Sequence, residues 1–110
     1  MNYDPDTIYQ FGFSKSWFAT CGVMNQCEEL ECYWVMDVIT SYIPQLKDAD
    51  YLKVITVELH EGSKCTFKIM DEISGELVVQ EIPFTDLKVN LKFWAITEGD
   101  KTTVMLPSEY

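Results

Sequence analysis

Ile55-Thr56-Val57-Glu58-Leu59-His60-Glu61-Gly62-Ser63-Lys64-Cys65-Thr66-Phe67-Lys68-Ile69-Met70 is the stretch that decides the fold class. Ile55, Val57 and Leu59 alternate with polar residues, and so do Cys65, Phe67 and Ile69. A period of two places each trio on one face of an extended chain. Glu61-Gly62-Ser63-Lys64 separates the two runs with turn-forming residues, so the pair reads as an antiparallel hairpin.

The same pattern continues toward the C-terminus. Ser74-Gly75 marks a second turn, and Leu77 to Phe84 reads as a third strand that Pro83 confines to a strand end. Val89 to Ile96 alternates Leu91, Phe93 and Ala95 against Lys92, Trp94 and Ile96. Glu98-Gly99-Asp100-Lys101 turns into a last strand, Thr102 to Leu106.

Upstream the period changes. Cys32, Val35, Met36, Ile39 and Ile43 recur at helical spacing with Asp37, Thr40 and Ser41 between them. This main helix ends near Tyr42, because Pro44 disfavours helical geometry at the residue before it. Val23 to Leu30 fits either an earlier helical turn or the start of the same helix. Ser14 to Thr20 reads as an extended segment bearing Trp17 and Phe18, and Asp4-Pro5-Asp6 as the cap and first turn of a short N-terminal helix broken by Gly12. The expected architecture is α+β: one domain, residues 1–110, with N-terminal helices packed on one face of an antiparallel meander of about five strands.

Charge narrows the function classes. The 110 residues include 18 acidic and 8 basic side chains, a formal net charge of -10, and every basic residue is Lys. Without the bidentate fork of Arg, and with a negative field, the chain is a poor direct binder of nucleic acid. It is suited instead to a protein partner with a basic surface. The N-terminus has no signal-peptide pattern, and no apolar run reaches the ~18 residues of a membrane span. A cytoplasmic location follows, with Cys21, Cys27, Cys32 and Cys65 as reduced thiols.

No constellation of residues points to catalysis, to a metal or to a cofactor. Cys27 and Cys32 stand at C-x4-C spacing, but Cys21 and Cys65 supply no second close pair to complete a zinc knuckle, and His60 stands alone without a spacing that selects a thiol partner. Glycine-rich phosphate loops, Gly-x-Ser-x-Gly elbows and His-Glu-x-x-His helices are absent. The candidate partner-binding residues are two acidic clusters, Glu28, Glu29 and Glu31, and Asp71, Glu72 and Glu76, together with Trp94. Trp94 and Ile96 fall on the sheet face opposite Phe93, where a second copy could dock and form a homodimer.

Tyr33-Trp34-Val35-Met36-Asp37, Glu81-Ile82-Pro83-Phe84-Thr85-Asp86 and the ending Leu106-Pro107-Ser108-Glu109-Tyr110 carry a resemblance. From about Phe13 onward the chain resembles an uncharacterised family of small bacterial and phage-encoded domains of unknown function. Where that family carries basic residues after the Trp of its N-terminal segment, Ala19-Thr20-Cys21-Gly22 has none. The resemblance implies a setting among mobile elements, whose small acidic proteins act by occupying a host protein.

The expected function is therefore a non-enzymatic binding protein, phage or mobile-element encoded. It would inhibit or modulate a host nucleic-acid-binding defence protein through an acidic surface, as an anti-CRISPR does. The alternatives are a protein that sequesters a small molecule such as a nucleotide signal, and a structural accessory domain.

Overall fold

The computed structural model describes residues 9–10, for the backbone alone, 16–46 and 49–109. In chain order they form β1 (Tyr9–Gln10), β2 (Trp17–Ala19), α1 (Cys21–Glu29), α2 (Tyr33–Tyr42), β3 (Leu52–His60), β4 (Lys64–Asp71), β5 (Gly75–Ile82), β6 (Leu91–Glu98) and β7 (Lys101–Met105). Short 3₁₀ turns follow α2 at Ile43–Leu46 and β7 at Pro107–Glu109. The α+β class and the expected β3–β4 hairpin are both present, with Ile55 opposite Ile69, Val57 opposite Phe67 and Leu59 opposite Cys65.

The sheet is larger than a five-stranded meander and is ordered differently. Its seven strands run β1-β2-β7-β6-β3-β4-β5. β3, β4 and β5 follow one another as hairpins, but β6 returns to the far side of β3, which is the order of a Greek key. Chain length explains the correction. Pro83 to Asn90 is far longer than a hairpin loop, and it has its own anchors: Thr85 N–H donates to Ser63 O at 2.7 Å, and Leu87 is buried. Asn90 Oδ1 accepts from Leu59 N–H at 2.8 Å, beyond the last β3–β6 pair.

Two further strands come from the N-terminal side. β2, within the expected extended segment, pairs parallel with β7, Ala19 beside Val104, and β1 pairs antiparallel with β2. Tyr9–Gln10 is thus strand, whereas the helix start at Asp4-Pro5-Asp6 and the Gly12 break lie outside the described residues.

One face of the sheet carries the core. Ile55, Val57, Phe67, Ile69, Leu91, Phe93, Ala95 and Val104 are buried there against Val23 and Cys27 of α1 and Val35 and Ile39 of α2. Trp34 and Met36 pack half-buried against the same cluster. Tyr42 stacks on Phe67 with ring centroids 6.1 Å apart and donates to Gln80 Oε1 at 2.6 Å, which pins the end of α2 over β4 and β5. α2 ends at Tyr42, as Pro44 requires. The boundary left open in the sequence is a break: α1 and α2 are separate helices.

Candidate functional site: the acidic end of α1

Thr20 sets the start of α1. Its Oγ1 accepts from Val23 N–H at 3.3 Å, the N-cap bond, and its hydroxyl donates to Glu109 Oε1 at 2.6 Å. Glu109 also accepts from Leu106 N–H at 2.9 Å, so the C-terminal turn holds a carboxylate at the positive end of the helix. That placement is favourable.

The other end is built against the same rule. α1 closes with a Schellman motif: Cys32 N–H donates to Cys27 O at 2.9 Å and Glu31 N–H to Glu28 O at 3.3 Å. The motif needs a left-handed residue at its corner, and that residue is Glu31, with φ of 53°, where glycine is preferred. Glu28 and Glu29 occupy the last turn, the negative end of the dipole, where cations are stabilising. All three side chains are exposed, and none has a hydrogen-bonding or ion-pairing partner among the described residues.

The crossover before β6 brings Asp86 and Lys88 to this end. Glu29, Leu30, Glu31, Asp86 and Lys88 line one shallow cleft of about 320 Å³. Sequence reasoning missed Asp86 because it lies 55 positions from Glu31, and only the return of the chain past β3 and β4 joins them.

The second acidic cluster is different. Asp71 is buried, not a free surface charge: its Oδ1 accepts from Ser74 N–H at 2.6 Å and its Oδ2 from Asp50 N–H at 2.9 Å. Those backbone donors, that of Asp50 foremost, hold its carboxyl below the ordinary value of 3.8. Glu76 is ion-paired with Lys68 at 3.1 Å, which raises the Lys68 pKa, and only Glu72 stands exposed without a partner among the described residues.

Trp94 lies on the face opposite Phe93, as its alternation implies. It is half-buried, though, and Ile96 and Met105 on the same face are buried, so Trp94 and Ile96 do not make an open platform.

The four cysteines are free thiols. Burial, with the neighbouring Cys32 thiol, pushes Cys27 up to about 12, far from a reactive thiolate. No thiol serves His60. Its Nε2 lies 2.6 Å from Thr66 Oγ1, which donates to the Glu81 carboxylate at 3.0 and 3.1 Å, while Cys65 lies on the other face of β4. No group of three or more His, Cys, Asp or Glu residues suited to a metal occurs among the described residues, and no helix among them is long and apolar enough to cross a membrane.

Lys53 was not singled out by sequence reasoning. The signal was present: carried back two residues, the phase of Ile55, Val57 and Leu59 puts Lys53 on the core face, and it is only 2% exposed. Its ammonium donates to Asp50 O at 2.7 Å and to Thr97 Oγ1 at 3.1 Å. Burial pulls its pKa below the ordinary value, partly offset by Asp71 and Asp50.

Fold and surface together define a small acidic α+β protein built on a Greek-key sheet. The chain belongs to the family of unknown function DUF6876, whose model matches residues 3–110. Among solved structures it is similar to a protein of unknown function from Enterococcus faecalis, with a TM-score of 0.62 and 20% identity over 91% of this chain and 94% of that one. At that identity the likeness shows the fold alone. No curated protein matches the chain.

Proposed function

We propose that this protein is a non-enzymatic binding module that occupies a basic, nucleic-acid-binding surface of another protein through the acidic end of α1. The observation that supports it most is the conflict at Glu28, Glu29 and Glu31. Two carboxylates sit at the wrong end of a helix dipole, and a third holds a left-handed corner that glycine would occupy with less strain. Asp86 adds a fourth negative charge, and among the described residues Lys88 is the one cation lining their cleft. A partner rich in Lys and Arg relieves that repulsion on binding. The net charge of -10 adds long-range steering toward it.

A phage or mobile-element setting, with a host defence protein as the target, is the form of this proposal that the family resemblance favours. The proposal places the protein in the host cytosol.

The test is competition. The immobilised protein is exposed to lysate of the cell that encodes it, and the bound proteins are challenged with short duplex DNA or RNA. Basic nucleic-acid-binding proteins should be retained at low salt and released by the nucleic acid. Retention of a partner that neither salt nor nucleic acid displaces would refute the proposal.

A further inference from the structure

At the opposite end of the sheet, between the start of β2, the 3₁₀ turn after α2 and the β6–β7 turn, lies a cavity of about 440 Å³. Its volume is within the roughly 300–1,000 Å³ of small-molecule sites. Trp17, Pro44 and Leu46 give it apolar walls, and Lys53, Thr97 and Thr102 give it a polar floor.

The floor has more donors than the described residues use. An ammonium carries three N–H groups, and Lys53 spends two, on Asp50 O and Thr97 Oγ1. Thr97 and Thr102 hold their hydroxyl oxygens 2.7 Å apart, so one of their two protons lies between them and the other is unspent, whichever residue donates. Among the described residues an N–H and an O–H are thus left over beside one another, on the almost fully buried Lys53 and on Thr102, also buried, or half-buried Thr97. Leaving buried donors unsatisfied is unfavourable, so the group that completes this floor is an acceptor.

Charge selects among acceptors. Asp50 and Asp71 already compensate Lys53, and Asp100 also lines the cavity, in a chain of net charge -10. A phosphate or other polyanion is repelled there.

We infer that the cavity over Lys53 binds a small uncharged molecule with a planar apolar body and a carbonyl acceptor, the body against Trp17 and Pro44 and the carbonyl oxygen on the free donors of Lys53 and the Thr97–Thr102 pair. This site is separate from the acidic end of α1 and stands or falls independently of the proposed partner.

Benzamide and benzoate are the probes: they share a shape and differ in charge. In amide NMR titrations of the full chain, benzamide should shift the resonances of Trp17, Thr97 and Gly99 with a dissociation constant on the order of 1 mM. Benzoate should bind more weakly. Lys53→Met, which preserves length and burial, and Thr102→Val, which preserves shape, should each weaken benzamide at least about tenfold; the second keeps the test decisive if the first does not fold. Absence of shifts with benzamide overturns the inference. So does tighter binding of benzoate, or benzamide binding that neither variant changes.

Discussion

Glu31 shows most directly that this chain is not optimised for stability alone. A non-glycine residue in the left-handed region costs about 1–2 kcal/mol, and glycine at a Schellman corner relieves it. Glu31→Gly should therefore stabilise the fold by about 1 kcal/mol in denaturant titration while weakening partner binding. A loss of stability would mean that the Glu31 side chain supports the fold. Gly22 gives the opposite case. Replacing a glycine inside a helix by Ala ordinarily gains about 1 kcal/mol. Here a Cβ would fall 2.6 Å from Glu109 Oε2, on a carboxylate held by Thr20 and Leu106. Gly22→Ala should destabilise the protein, and should become stabilising in a Glu109→Ala background. Additive effects in that double-mutant cycle would show that the two positions are not coupled.

At the scale of elements, the acidic clusters separate into structure and surface. Asp71 ties the β4–β5 turn to the loop before β3 by accepting from Ser74 and Asp50. Because its folded pKa is depressed, its contribution is complete above the ordinary 3.8 and is lost as pH falls below that value through the folded one. Asp71→Asn, which puts an NH₂ against one of those donors, should lower the melting temperature at pH 7, and the gap from wild type should shrink on acidification below pH ~3.8. A gap that stays constant with pH would refute that role. The strands themselves were legible, because Ile55, Val57 and Leu59 or Leu91, Phe93 and Ala95 state their period in the sequence. Strand order was not. Pairing of β6 with β3 rather than β5 depends on a crossover whose anchors, Thr85, Leu87 and Asn90, carry no periodic signal. The parallel addition of β2 to β7 joins residues 85 positions apart, such as Trp17 and Thr102.

For the whole molecule, the same distinction governs the site. Composition showed the excess of negative charge on which the proposal of a basic partner rests, and the residues Glu28, Glu29 and Glu31 were legible as a run. Their position at the C-terminal end of a helix that stops at Glu29 was not, since Val23 to Leu30 fits two helical readings until the Schellman corner is seen. The joining of Asp86 to them, and the removal of Asp71 from the free surface, are products of tertiary structure. The described residues thus hold an acidic surface placed against its own helix dipole and, at the other end of the sheet, a small polar-floored cavity.

The measurement that bears most directly on the acidic surface compares two charge-neutralised proteins on the partner recovered by competition. One carries Glu28→Gln, Glu29→Gln and Glu31→Gln, the other Glu72→Gln and Glu76→Gln, and each is followed by association kinetics across salt. Screening acts over about 8 Å at physiological ionic strength, so steering by a contact patch should fade as salt rises. The predicted result is an association rate at low salt reduced at least about tenfold in the first protein, with a flattened salt dependence, and unchanged in the second. Equal rates for the first protein and wild type, with affinity independent of salt, would contradict the account.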